Sequence, residues 1–554
     1  MERYLWTEEK HAKFTKAGWW PDKTIIDYLR KHAEQRPDQI ALVDKYGTYS
    51  YRDLFQAVQN VAHGLSVHGI TAGDVIAHQI PNRNEGAILN LAAIFIGAVT
   101  NPIVSSYREN ELEYILDKID AKAYFAPKTY HGFDYGSMAA GLKEELSELE
   151  KIVVIEESES EKLGTSISLQ QLIKTDWEAA TEESQPQSTE VEPDDVSLIQ
   201  FTSGTTGNPK GVLHTENTLL SAVTGEIDRL GLTDNDVIFT PSPIGHMMGI
   251  QHGYRLSLIL GTKCVFLERW NPEQAIKRIA EENCTFMGGA TPFVSDLAKA
   301  ENITNYDTAS LTTIMTAGAP VPREIIELAH ETFENLTVCR GWGQTENTLP
   351  TVNSPMDPDE KILTTDGKPY GGMQVRVKQP EYAQADEDTD GELQVKGPFL
   401  FVGYFDEEKQ TRGAFTEDNW FKTGDKAVVD EDGYIEIKGR IKDLIIRGGE
   451  NIPVRQIEEY LHEHPAVENV AIVAMPDERL QERACMYVLP VDSDLPPTFD
   501  QLIDHLKDKN IAVQKLPERL EIVEKFSMTA SGKIQKYKLR EDVAEKLDMD
   551  PIQR

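Results

Sequence analysis

The sequence predicts an α/β protein in two parts, a large N-terminal part built of several subdomains and a small α+β part at the C-terminus. Three observations carry this expectation. Through roughly the first 175 residues, helix-period and strand-like segments alternate, the pattern of a largely parallel sheet. At Leu198-Ile-Gln-Phe-Thr-Ser-Gly-Thr-Thr-Gly-Asn-Pro-Lys-Gly-Val212 a short apolar strand empties into a loop of small polar residues, and a helical segment follows. The last 110 or so residues are patterned compactly enough to hold a core of their own.

Taken in order, residues 24–35 have helical spacing and 40–43 read as a strand. Residues 48–51 lead into a helix over 52–68. Strand 75–80 precedes helix 85–96, helix 107–119 precedes strand 123–126, and strand 151–155 closes the region. From 176 to 195 the composition changes: eight of these twenty residues are acidic and none is basic, which predicts an exposed linker. Alternation then resumes. Strand 196–201, helix 216–230, strand 237–240, an apolar helix at 249–260, strand 263–267 and helix 272–282 are expected, followed by a strand at 311–315. A second polar segment at 379–390 precedes 391–397, which alternates like a half-exposed strand. The C-terminal part reads as helix 454–462, strands 467–473 and 484–489, helix 499–507 and a strand at 520–523.

With 554 residues the chain exceeds one ordinary core. Its 92 acidic and 56 basic residues give a formal charge of -36, a surface that repels nucleic acid and anionic membranes. The longest apolar run, residues 86–99, is too short to span a bilayer and reads as a buried helix, so no integral membrane association is expected. Cys264, Cys284, Cys339 and Cys485 have no metal-ligand spacing and read as buried free thiols. The N-terminus lacks the apolar stretch of a signal peptide, and a cytoplasmic location is expected.

The loop Thr202, Ser203, Gly204, Thr205, Thr206, Gly207 with Lys210 has the chemistry of a phosphate site. Glycines let backbone N–H groups approach, hydroxyls add rotatable donors, and the ammonium adds a point charge. An ordinary strand-to-helix connection would use the same residue types. The spacing is not that of a Walker loop, because Gly211 follows Lys210 where Ser or Thr would stand. Further clusters of small polar residues follow: Thr316-Ala-Gly-Ala-Pro320, Cys339-Arg-Gly-Trp-Gly-Gln-Thr-Glu346, Lys422-Thr-Gly-Asp425, Gly439-Arg-Ile-Lys-Asp443, Arg447-Gly-Gly-Glu-Asn451 and Thr529-Ala-Ser-Gly-Lys533. Any one of them is a turn; six in this order after a phosphate-type loop are a site.

These motifs, from about residue 22 to 539, resemble the acyl-CoA synthetases of the adenylate-forming superfamily. The stretches Thr285-Phe-Met-Gly-Gly-Ala-Thr-Pro-Phe-Val294 and Gly439-Arg-Ile-Lys-Asp-Leu-Ile-Ile-Arg-Gly-Gly-Glu-Asn-Ile452 are most similar to short- and medium-chain fatty acyl-CoA ligases. The resemblance implies an N-terminal AMP-binding domain over 1–441 and a mobile C-terminal domain over 442–554. It also implies a two-step reaction: ATP and a carboxylate give an acyl-adenylate and pyrophosphate, and coenzyme A then gives an acyl-CoA and AMP.

The same resemblance implies residue roles. Residues 202–210 hold the leaving pyrophosphate. Gly318, Ala319, Pro320, Gly341, Trp342 and Gly343 form the adenine slot, with Gln344 beside it; Trp342 either stacks on the base or is a plain core residue. Thr345 contacts the α-phosphate, and Glu346 is a Mg²⁺ ligand or else a helix-start carboxylate. Asp425 accepts the ribose hydroxyls and Arg440 binds ribose or phosphate. Lys533 neutralises charge in adenylation. Ser527 stands where the family usually has Pro, so its loop is less preset. Lys442 is the hinge for a domain rotation between steps, and Gly448 and Gly449 line the thiol's path. His246, in Ile244-Gly-His-Met-Met-Gly249, either borders the reacting carboxylate or is a structural histidine.

Met247 and Met248 offer an apolar wall, and Gly288, Gly289 and Ala290 leave room for substrate. The expected partner is a small carboxylic acid: a medium-chain fatty acid first, a cyclic or aromatic acid as the alternative, with a carrier-protein thiol as another acceptor. A homodimer is admitted by the sequence but not specified by it.

Overall fold

The structure, a computed structural model, describes residues 1–155, 168–177, 191–202, 209–301, 303–318, 321–379, 390–443, 445–447, 450–452, 454–509, 511, 513–529 and 533–552. Residues 154, 442, 446, 450 and 451 are described by their backbone alone. The expected linker at 176–195 and the polar segment at 379–390 fall largely outside these residues.

Two large sheets form the first part of the chain. One has seven strands and is parallel through Val75–His78, Val99–Pro102, Ala123–Pro127, Lys151–Ile155 and Val196–Phe201. The other has nine strands, with a parallel centre made by Ile40–Val43, Ile238–Thr240, Cys264–Phe266, Phe286–Gly289, Thr313–Thr316 and Thr337–Trp342. Their central strands are buried on both faces, which is why they read as continuous apolar runs rather than alternating ones. The helix Asn84–Phe95 is buried along every residue except Glu85, as its all-round apolar sequence requires.

A four-stranded antiparallel sheet of Gln374–Lys378, Gly391–Lys396, Phe421–Val429 and Ile435–Arg440 follows. After the 3-10 turn Ile441–Asp443 the chain enters a separate five-stranded sheet centred on Val467–Asp477 and Gln481–Pro490. Helices Val454–His462 and Phe499–Asp508 cover one face of it through Ile457, Leu461, Leu502 and Leu506. Lys536–Lys546 covers the other through Leu539 and Val543.

Two expectations are corrected. The segment after Lys210 does not lead directly into a helix: Gly211–Thr215 is a strand that pairs antiparallel with Val196–Phe201, which brings Thr202 and Lys210 side by side. The Thr202 N–H donates to the Lys210 carbonyl at 3.0 Å. Five residues with no turn signal after them are too short for periodicity to separate from the helix that follows. The apolar helix expected at 249–260 is three pieces: Met247–Gly249, a π-helical turn Ile250–Arg255 broken at Gly253, and Leu256–Leu260. A Cβ at Gly253 would lie 2.8 Å from the Thr240 methyl, so the kink follows from close packing on the neighbouring strand.

Candidate active site

Five sequence-distant segments, at His246, Gly318, Glu346, Asp425 and Arg440, converge around Lys533. The residue sits in a tight hairpin: Met528 bridges Ile534, the Thr529 N–H donates to the Lys533 carbonyl at 2.6 Å, and the Gln535 N–H donates to the Ser527 carbonyl at 2.8 Å. The Lys533 N–H donates to Thr529 Oγ1 at 3.0 Å. The lysine's Cε lies 3.4 Å from where a Cβ on Gly318 would stand, and Gly318 has φ +95, a conformation that favours glycine. Burial and the Arg440 guanidinium push the Lys533 ammonium down to about 8, while Asp425 and Glu346 act to hold its proton.

Asp425 lies opposite, on the strand Phe421–Val429 and paired in register with Arg440 on Ile435–Arg440. Its Oδ2 accepts from the Trp342 indole N–H at 2.9 Å and from Gln344 Nε2 at 2.9 Å; Arg440 Nε is 3.4 Å from Oδ1. Burial pushes this carboxyl up, whereas Arg440, Trp342, Lys533 and Gln344 all favour the carboxylate. Gln344 also donates to the Thr423 carbonyl at 2.9 Å.

Trp342 packs in the apolar core with Leu349, Val352 and Met373 while its N–H orients Asp425. Neighbouring Gly341 and Gly343 are required by close approach: a Cβ on Gly343 would collide with the Thr348 carbonyl, and one on Gly341 would meet Leu349 at 2.9 Å. Thr345 is fixed through its carbonyl, 2.7 Å from Nε2 of buried His214. Burial pushes His214 down to about 4, so it is neutral and donates from that nitrogen.

Glu346 presents its carboxylate beside Tyr404, whose hydroxyl donates to Oε1 at 2.9 Å. Lys210 Nζ lies 4.8 Å from the centre of the same tyrosine ring. The hairpin turn at Lys210 and the Glu346 carboxylate therefore meet at one residue that sequence reading did not single out. Its signal is faint, a Gly-Tyr pair 58 residues beyond Glu346.

His246 caps the short helix Met247–Gly249: its Nδ1 accepts the Met248 N–H at 3.2 Å. Burial, together with Lys533 and His252, pushes it down to about 4. The neutral ring therefore carries its proton on Nε2. The two methionines do not form one wall, since Met247 joins the core around Asn84–Phe95 and Met248 packs on the core that holds Trp342. The space at Gly288 and Gly289 is taken up by neighbours, with His252 Cβ 2.7 Å and Phe293 2.9 Å from the added Cβ positions. Those glycines serve close packing.

Ser203, Gly204, Thr205, Thr206, Gly207, Ala319, Pro320, Gly448 and Gly449 lie outside the described residues, as do Lys442's side-chain contacts. A cavity of about 540 Å³ lined by Arg3, Thr71, Gly97 and Val196 contains none of the predicted residues. The four cysteines are free and buried, and burial pushes their thiols up, to about 12 at Cys264 and Cys485.

Among the described residues no group of three His, Cys, Asp or Glu is placed to hold a metal ion. The Glu346 carboxylate keeps Oε2 without a hydrogen bond to Tyr404, and a single hard carboxylate is the protein ligand that suits an ion shared with phosphate and water oxygens. Among the described residues no helix is long and apolar enough to cross a membrane.

Parallel sheets ending in this convergence of lysine, acidic and glycine residues, with a separate C-terminal sheet, define the adenylate-forming enzymes. Residues 29–405 match the family described as AMP-binding enzyme, and residues 456–533 match the AMP-binding enzyme C-terminal domain. The chain belongs to the AMP-binding enzymes and, within them, to the acyl-CoA synthetases.

It is 34% identical to the medium-chain fatty-acid–CoA ligase of Escherichia coli over 98% of this chain and 94% of that protein. It is 30% identical to the 2,3-dihydroxybenzoate-AMP ligase of Bacillus subtilis over 98% of each. Its fold superposes on the anthranilate CoA ligase AuaEII with a TM-score of 0.84 at 22% identity, covering 95% of this chain and 98% of that one. The activity is that of an adenylate-forming acid:CoA ligase, which uses ATP, coenzyme A and a small-molecule acid.

Proposed function

We propose that this ligase activates medium-chain fatty acids, and that the residues gathered around Lys533 divide the two steps between them. The observation that carries the site assignment is the placement of one ammonium against Gly318 and in the field of Asp425, Glu346 and Arg440. A carboxylate must approach the α-phosphate of a polyanion, so the barrier is electrostatic and positional. Lys533 supplies positive charge where negative charge gathers. Asp425, oriented by Trp342 and Gln344, accepts ribose hydroxyls, and Arg440 binds ribose or phosphate. The 202–210 turn with Lys210 grips the departing pyrophosphate, Thr345 borders the α-phosphate, and the slot at Gly318, Ala319, Pro320 and Gly341, Trp342, Gly343 takes the adenine. Glu346 would hold Mg²⁺, which when bound offsets phosphate charge. His246, neutral with its proton on Nε2, donates to the acid's carboxylate.

Thioester formation needs Lys533 withdrawn so that the thiol can enter along Gly448 and Gly449. The orientation seen here is held by Arg455, which donates to the Ile437 carbonyl and lies 3.8 Å from Asp366, itself paired with Arg340 at 3.0 Å. Rotation about Lys442, between the domains 1–441 and 442–554, breaks the Arg455 contacts and leaves Asp366 still paired. A Lys442→Pro variant is expected to keep adenylation and lose thioesterification. Single-turnover assays of each half-reaction check this, and loss of both together argues against the hinge.

Support for an aliphatic substrate is the 34% identity to a medium-chain ligase, and a cyclic or aromatic acid is favoured instead by the 30% identity to a dihydroxybenzoate ligase. The deciding experiment is pyrophosphate release across straight-chain acids of increasing length and a set of benzoates, with and without coenzyme A. The expected optimum lies among the medium chains, with turnover dependent on coenzyme A. A benzoate optimum, or acyl-adenylate that accumulates despite coenzyme A, selects the aromatic or carrier-protein reading.

A further inference from the structure

We propose that Tyr404 is a positioning residue that sets the Glu346 carboxylate and the Lys210 ammonium at a fixed separation on either side of the triphosphate; this rests on the reading of Glu346 as metal ligand and Lys210 as phosphate contact. Tyr404 ends the two-residue strand Gly403–Tyr404, which pairs with Val212 and Leu213 just beyond Lys210. Its backbone is tied down, its N–H donating to Thr411 Oγ1 at 2.9 Å, and its side chain is 5% exposed against the Phe401 ring.

From this fixed base the phenol makes two contacts of opposite kind. The hydroxyl donates to Glu346 Oε1 at 2.9 Å, and the ring face lies 4.8 Å from Lys210 Nζ. Glu346 is gripped a second time by the same segment, since the Phe401 N–H donates to its carbonyl at 2.8 Å. A carboxylate is acceptor-only, so a neutral hydroxyl fixes one oxygen without adding charge and leaves Oε2 for an ion. An ammonium in the same place would neutralise the carboxylate, and an apolar residue would leave its rotamer free.

The two contacts can be separated by substitution. Tyr404→Phe keeps the ring under Lys210 and removes only the hydroxyl; Tyr404→Leu removes both. The probes are Mn²⁺, followed by its electron paramagnetic resonance signal, and α,β-methylene-ATP, whose binding is measured calorimetrically with and without Mn²⁺. Tyr404→Phe is expected to weaken Mn²⁺ binding in the ternary complex by about 10–100-fold while metal-free nucleotide binding stays unchanged.

Tyr404→Leu is expected to weaken metal-free nucleotide binding as well, and thermal melts of both variants identify a fold defect. Should the leucine variant fail to fold, the phenylalanine variant alone decides the hydroxyl's role, and Lys210→Gln in the Tyr404→Phe background, expected to weaken metal-free nucleotide binding, tests the Lys210 phosphate contact on which the ring's role rests. Wild-type Mn²⁺ affinity in Tyr404→Phe overturns the positioning role. Unchanged Mn²⁺ affinity in Glu346→Gln overturns the metal assignment itself, a failure distinct from the first.

Discussion

Replacing Lys533 with alanine is expected to slow acyl-adenylate formation by about 10²–10³-fold or more, while thioester formation from supplied acyl-adenylate is spared. The first step concentrates negative charge beside Gly318, and the ammonium is the cation placed there by its own hairpin. On the proposed reading the same side chain must leave the thiol's path in the second step, so its loss is expected to cost that step nothing. The measurement is a pair of half-reactions, acid-dependent pyrophosphate release and coenzyme A-dependent consumption of synthetic acyl-adenylate. Undiminished pyrophosphate release would remove Lys533 from the mechanism.

The same residue sets the pH dependence. Burial and Arg440 push it down to about 8 in the free enzyme, so it is charged below that value and neutral above. Adenylation therefore loses kcat/KM for ATP as pH rises through about 8. Bound triphosphate favours the charged form, which moves the corresponding limb of kcat to higher pH. His246, pushed down to about 4, stays neutral across this range and adds no limb near neutrality. In Lys533→Arg the alkaline limb should disappear, because guanidinium does not titrate there.

The parallel strands were legible because burial on both faces writes itself as apolar stretches between turn residues, as at Val75–His78, which stands between Gly73-Asp74 and Pro81. The site's charged residues were legible because each stands beside small residues in the sequence, as Lys533 does in Thr529-Ala-Ser-Gly-Lys533 and Asp425 in Thr423-Gly-Asp425. What could not be read was how contacts close over long separations. Gly211–Thr215 carries no sign that it folds back on its predecessor, and nothing before Tyr404 indicates that its hydroxyl reaches Glu346. Periodicity likewise cannot register the break at Gly253, since every position of that segment is buried whichever way it turns. At Gly288 a small residue reads equally as room for substrate or as packing against His252.

The second large effect concerns stability and falls on Glu216, a residue outside the motifs. Glu216→Ala is expected to destabilise the protein by about 3–5 kcal/mol, read as a lowered midpoint of urea unfolding. Glu216 and Arg255 are a buried pair whose side chains are 1% and 2% exposed, joined by contacts of 2.7 and 3.2 Å. The carboxylate also accepts the Ile25 N–H at 2.9 Å and the Ser197 hydroxyl at 2.8 Å. One deletion thus strands a buried guanidinium, the first N–H of the helix Ile25–Gln35, and a hydroxyl at the start of the strand Val196–Phe201. Removing both charges in Glu216→Leu/Arg255→Met leaves no unpaired ion and should recover much of the loss. A double variant no more stable than Glu216→Ala would mean that the Ile25 and Ser197 bonds carry the effect. Because Val196–Phe201 delivers Thr202 to the hairpin turn, Glu216→Ala should also weaken ATP binding under conditions where the protein remains folded, which ties a buried ion pair to the pyrophosphate grip.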